Sequence, residues 1–129
     1  MKQISLKIIS MLIFTCISYA IYLANTGDKN TLFDIIATIP YGDKFGHSIL
    51  YGSLTYSIII ASRFRVIKTG RIRLYYGVLF ASLFSITEEI SQLFIQSRTF
   101  DISDLIADLL GISIATLIAI KYRQVKRHA

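Results

Sequence analysis

A single cysteine, Cys16, rules out any disulfide within the chain. The marks of nucleophilic and nucleotide chemistry are missing too: there is no G-x-S-x-G turn, no H-E-x-x-H pair and no glycine-rich phosphate loop. No internal repeat, low-complexity tract or flexible linker interrupts the sequence. Charge is scarce, at 17% of 129 residues against 53% hydrophobic residues and a mean hydropathy of +0.57. That balance is far too apolar for a soluble domain of this length and describes one membrane-embedded domain, 1–129.

The apolar residues fall in four blocks, 8–24, 45–62, 74–95 and 102–120. At a rise of about 1.5 Å per residue, each block crosses a hydrocarbon core of about 30 Å as a helix. Within lipid every span must satisfy its own backbone hydrogen bonds, and no segment alternates as a barrel strand would. The expected fold is therefore all-α, a polytopic bundle of four transmembrane helices. Cys16, midway along the first span, reads as a small apolar packing residue. Lys2 and Lys7 ahead of a run ending near Ser18-Tyr19-Ala20 also imitate a secretory signal, but the run continues to Ala24, which favours a retained span.

Net charge is +6, so the placement of the charges decides between a nucleic-acid binder and a membrane topology. Eleven of the fourteen basic residues lie before the first span, between the second and third (Arg63, Arg65, Lys68, Arg71, Arg73), or after the fourth (Lys121, Arg123, Lys126, Arg127). The positive-inside rule makes those segments and both termini cytoplasmic, with no need of a nucleic-acid partner. Lys29, Lys44 and Arg98 remain for the outer side. All eight carboxylates, Asp28, Asp34, Asp43, Glu88, Glu89, Asp101, Asp104 and Asp108, map to outer loops or the outer halves of spans.

Between the first two spans, Thr31 and Asp34 fit a helix-start capping box, apolar residues follow, and Pro40 ends the element. This is either a short interfacial helix or an apolar loop packed on the bundle. Between the third and fourth spans, 96–100 reads as a tight outer hairpin.

Polar residues inside the spans share faces. Asp43, His47, Tyr51 and Thr55 step by four; Ser82, Ser85, Glu89, Gln92 and Gln96 step by three and four; so do Asp101, Asp104, Asp108, Gly111 and Ala115. The pair Gly111 and Ala115 also allows another helix to approach closely. Carboxylates at membrane depth must face the bundle or a wet cavity, so three helices deliver polar groups to one level, with Arg98 placed to pair with them. Milder readings compete: Asp43 and Asp101 as helix-start residues, Glu88 turned to the headgroups, Tyr51 and Thr55 as packing or interfacial residues, His47 as an interhelical hydrogen bonder. Capping does not explain Asp104 and Asp108, which lie beyond the first turn.

The run Asp43-Lys44-Phe45-Gly46-His47, the segment Glu89-Ile90-Ser91-Gln92 and the stretch from Arg98 to Gly111 resemble the D-K-x-x-H, E-x-x-Q and R-x-x-D-x-x-D-x-x-x-N-x-x-G motifs of the VanZ-like family. These small bacterial membrane proteins are named for a member associated with low-level teicoplanin resistance. The resemblance spans about 43–111 and implies residence in the bacterial cytoplasmic membrane in an envelope context. Asp108 departs from it, standing where the family pattern has Asn.

Three function classes fit these residues. In the first, the site binds or modifies an outer-leaflet component such as a lipid-linked cell-wall precursor. His47, Glu89 and Asp104 would then act as acid or base, and Asp43, Lys44, Gln92, Arg98, Asp101 and Asp108 would hold the substrate. In the second, zinc or manganese binds among His47, Glu89, Asp104 and Asp108 in a metal-dependent hydrolase or transferase. The third is a proton- or cation-coupled carrier using the buried carboxylates.

Overall fold

The structure, a computed structural model, describes residues 2–27 and 31–128. Asp28 and Lys29 lie outside the described residues. The elements are α1 (Lys2–Thr26), α2 (Thr31–Thr38), α3 (Gly42–Ala61), β1 (Val66–Thr69), β2 (Ile72–Tyr75), α4 (Tyr76–Gln92) and α5 (Ile102–His128). Of the two readings of the segment ahead of Pro40, a short helix or an apolar loop, the structure has the helix, α2. Among the described residues, α1 and α5 are long and apolar enough to cross a membrane. The other two long helices carry their polar residues inward.

The distribution of side chains is inside out relative to a soluble protein. Glu89 and Asp108 are fully buried, whereas Leu12, Leu83, Ile114 and Leu117 are each more than half exposed. Charged residues are almost never fully buried in water-soluble folds, and so much contiguous apolar surface is not left facing water. Cys16 belongs to that outer surface and does not pack in the bundle as its composition suggested.

Helices α3 and α5 form the central pair. A methyl group added at Gly52 would lie 3.0 Å from the Gly111 carbonyl oxygen, and one added at Gly111 would collide with the Ser48 carbonyl. Hydrogen at these two positions lets the backbones approach within reach of Ser48 Oγ, which donates to the Ala107 carbonyl at 2.6 Å. Ile17, Tyr51, Leu54, Ala81 and Ile112 then close an apolar core among α1, α3, α4 and α5, with Phe14 and Phe84 at 5.1 Å beside it.

The segment between α3 and α4 is a β-hairpin, so the fold is mostly helical and not all-α as its apolar blocks suggested. Val66 pairs with Tyr75, Ile67 with Leu74, Lys68 with Arg73 and Thr69 with Ile72, and Gly70 turns the chain at φ 62°. Pairing takes Leu74 and Tyr75 out of the third apolar block. At its other end α4 stops at Gln92, so 74–95 shortens to a helix of 17 residues and residues 93–101 form a connection longer than a tight hairpin. The hairpin shares one end of the molecule with the start of α1 and the end of α5: Gln3 Nε2 donates to the Ala61 carbonyl at 2.5 Å, and Arg123 lies 5.0 Å over the Phe64 ring. At the opposite end Ser97 Oγ donates to the Asn25 carbonyl at 2.9 Å.

The crossing of α3 and α5 yields a direct test. Gly111→Val forces backbone apart at Ser48 and is expected to destabilise the purified protein by roughly 1–3 kcal/mol or more. Gly46→Ala, where an added methyl meets nothing within 4 Å, should leave thermal unfolding in detergent unchanged or slightly raised.

Candidate functional site

Lys44, in the first turn of α3, is surrounded by carboxylates from two helix starts. Its Nζ lies 2.9 Å from Asp43 and 2.8 Å from Asp101, and it also contacts Asp104. One cation thus clasps α3 to α5 through three acids. The hydrogen bond from Lys44, with further bonds from Ser103, holds the Asp101 carboxyl well below the usual carboxylate range. Asp43 is lowered chiefly by its hydrogen bond from Lys44. Partial burial pulls the Lys44 ammonium down, but bonds to Asp101, Asp104 and Asp43 outweigh it and hold the group above its ordinary value. Asp101 also caps α5, since the Ser103 N–H donates to its Oδ1 at 2.8 Å. Asp43 makes no such cap; the residue before α3 is Tyr41, in a left-handed conformation.

One turn further along α3, His47 Nδ1 lies 2.9 Å from Asp108 Oδ1, and Ser85 Oγ donates to Asp108 Oδ2 at 2.5 Å. An ionised carboxylate only accepts, so the hydrogen on the imidazole sits at Nδ1. The Nε2 lone pair is therefore directed away from Asp108, on the side where Asp104 Oδ2 lies at 3.9 Å.

From α4 come Glu88, Glu89 and Gln92. The Gln92 amide donates to Glu88 Oε1 at 3.0 Å and to Glu89 Oε1 at 2.9 Å, and the Asp101 N–H donates to Glu89 Oε2 at 3.4 Å. Glu88 is not turned to the headgroups. It is 6% exposed, faces the bundle, and lies 3.5 Å from Arg98 Nη2. The signal for this was in the sequence, because the steps of three and four that join Ser85 to Gln92 pass through Glu88. Gln96 lies beyond the end of α4 and is exposed, and Thr55 is spent on the Tyr51 carbonyl at 2.8 Å.

Part of this cluster borders a cavity of about 410 Å³ whose opposite wall is the apolar face of α1, with Ile17, Ala20 and Ile21. His47, Tyr51, Glu88, Gln92, Arg98 and Asp104 line it. Among the described residues, Glu88 Oε2 and Tyr51 Oη are buried without a hydrogen-bond partner. One atom each of His47, Glu89 and Asp104 lies within 4.8 Å of the others, the one such group of potential metal ligands among the described residues.

The three short motifs of the sequence, scattered over α3, α4 and α5, thus border one cavity in an otherwise apolar bundle. The chain belongs to the VanZ/LLP1 family. The family match runs over residues 2–123, beyond the 43–111 covered by the motifs, and so includes α1 with its wall of the cavity. No curated protein and no solved structure matches the chain significantly.

The Lys44 clasp makes stability depend on pH with a predictable sign. Asp43 and Asp101 have folded-state values below their unfolded ones, so their contribution is present above about pH 4 and is lost as pH falls through the depressed values. In Lys44→Met the hydrogen bonds that depress Asp43 and Asp101 are lost, and this contribution goes with them. The variant should therefore unfold at a lower temperature than the wild type at pH 7, by a margin that narrows as pH is taken below about 4.

Proposed function

We propose that this protein spans the bacterial cytoplasmic membrane four times with both termini in the cytoplasm. Its outward-facing cavity binds or modifies an outer-leaflet envelope component, such as a lipid-linked cell-wall precursor, and thereby alters glycopeptide susceptibility. The observation that carries this reading is the cavity itself: ionisable groups from three helices face an apolar wall from a fourth. Such a site suits an amphipathic molecule with a polar head and a hydrocarbon body.

The four-span arrangement is supported by helix length and by the sorting of charge. At about 1.5 Å per residue, the 20 residues of α3 and the 17 of α4 reach roughly 30 and 25 Å. Lys68 stands directly opposite Arg73 in the hairpin. Like charges so placed cost a few tenths of a kcal/mol or more in water, roughly, but are relieved against anionic headgroups.

Within the cavity, Lys44 already has three carboxylate partners and makes a poor anchor for an anion. Arg98, with Glu88 at 3.5 Å, is the better one. His47 Nε2, Glu89 and Asp104 are the groups able to move a proton at a bound head. A carrier is less well supported, because the ionisable groups of the site gather at one end of the bundle and the buried residues further along include the apolar Leu54, Ile59, Ala81 and Ile112.

In cells, His47→Ala, Glu89→Gln and Asp104→Asn are each expected to reproduce the effect of deleting the protein on susceptibility to glycopeptides and other envelope-directed antibiotics, at unchanged protein level. If all three behave as wild type while deletion has a clear effect, the reading fails. Orientation is checked in a Cys16→Ser background: a membrane-impermeant maleimide added to intact cells should label Thr99→Cys and spare Gln124→Cys, and the reverse pattern would invert the topology.

A further inference from the structure

We propose that one divalent transition-metal cation, of the zinc type, is bound at the edge of the cavity by His47 Nε2 and Asp104 Oδ2, which line it, and by an oxygen of the buried Glu89 behind them. This deepens the outward-facing site proposed above and rests on it. The donor set, one imidazole and two carboxylates from three different helices, is of the kind that binds zinc and leaves a coordination position open. Donor atoms around such an ion stand roughly 3.4 Å apart. The three here are already within 4.8 Å, so binding asks only for small side-chain rotations.

Each of the three donors is also oriented by a neighbour that leaves a lone pair free. His47 Nδ1 is held by Asp108, itself fixed by Ser85. Asp104 Oδ1 is taken by Lys44, which leaves Oδ2 on the side of His47. Glu89 accepts from Gln92 at one oxygen and from the Asp101 N–H at the other. Such outer hydrogen bonds set the tautomer of a ligating imidazole and the direction of a ligating carboxylate. In this arrangement Asp108 supports the imidazole and is not itself a ligand. A histidine serving only to join α3 to α5 would need the Asp108 bond alone; it gives no reason for two further acids around its second nitrogen.

An independent observation points to a ligand in the same place. Glu88 Oε2 and Tyr51 Oη border this cavity, buried and without partners among the described residues. Buried polar atoms in that condition call for an explanation, and a water completing the coordination of the cation supplies one, donating to Glu88 Oε2 and accepting from the Tyr51 hydroxyl. Charge leads the same way. Among the described residues, six carboxylates, Asp43, Glu88, Glu89, Asp101, Asp104 and Asp108, gather here with Lys44 and Arg98 as their permanent cations. An anionic head entering this field is repelled unless a bound dication reverses its sign locally. The substrate class implied is an amphiphile whose phosphate or carboxylate head bridges the cation and Arg98.

The test uses the full chain in mild detergent, stripped with chelator and dialysed against Zn²⁺, with the metal counted by mass spectrometry. One ion per chain is expected, retained against a roughly hundredfold excess of Mg²⁺, which prefers all-oxygen sites. His47→Ala and Asp104→Asn should lose the ion, and Asp108→Ala should bind it roughly 10–100-fold more weakly. Should a variant misfold, the wild type still decides: Zn²⁺ must raise its unfolding temperature, and Co²⁺ in its place must give a visible spectrum of nitrogen and oxygen ligation. No stoichiometric ion on the wild type, or equal displacement by Mg²⁺, overturns the proposal. If His47→Ala changes antibiotic susceptibility while the wild type binds no ion, the metal site falls and the envelope reading stands. An ion that binds while the variant's susceptibility is unaltered has the converse meaning.

Discussion

The contact between α3 and α5 at Gly52 and Gly111 governs where every polar group of the site can lie. Only hydrogen fits where Gly111 meets the Ser48 carbonyl, and that fit brings the N-terminal halves of the two helices side by side. Lys44 can then reach Asp101 and Asp104, and His47 can reach Asp108. Separate the backbones by the width of a methyl group and these pairs lose their geometry. What remains is several buried carboxylates without partners, an arrangement the interior of a membrane protein does not tolerate. The apolar packing therefore comes first in the causal order, and the electrostatics follow from it.

How much of this was legible in the sequence depends on the period of the pattern and on the distance over which it acts. Helical stripes are local and strong, so the faces carrying Asp43 and His47, Glu89 and Gln92, and Asp104 and Asp108 could be read directly, as could the small-residue contact at Gly111. The hairpin at 66–75 was hidden by its charges. Lys68, Arg71 and Arg73 satisfied a topology rule so completely that the alternation around Gly70 carried no weight, and Leu74 was counted with the helix that follows. Glu88 was misjudged because a residue next to Glu89 seemed to need another face; at 100° per residue both fit a broad inward stripe. The pairing of Lys44 with three acids was out of reach, since it depends on how two helices cross.

The site is demanding to maintain, and that bears on its meaning. A membrane bundle of this size could be held together by Leu54, Ile59, Ala81 and Ile112 with glycine contacts alone. Instead one end of it spends side chains from three helices on groups that lipid disfavours and, among the described residues, leaves Glu88 Oε2 and Tyr51 Oη without partners. Buried ionic networks give little net stability compared with apolar residues of the same volume. Their retention in a cavity with an apolar wall is better accounted for by what the cavity receives than by what it contributes to folding.

Asp108 is the residue at which the chain departs from the family motif, which has Asn, and the geometry shows what the change does. An Asn side chain would also accept the hydrogen of His47 Nδ1 through its carbonyl oxygen. Its amide would then face Ser85, whose hydroxyl would turn from donor to acceptor. Both residues therefore hold the ring in the same tautomer, and a positioning role for the imidazole survives either way. Aspartate adds negative charge to the far side of the ring, making Nε2 a stronger electron donor toward whatever it meets in the cavity. In this chain the position is filled by a carboxylate that meets both His47 Nδ1 and Ser85 Oγ. The position acts through His47, not on a substrate directly.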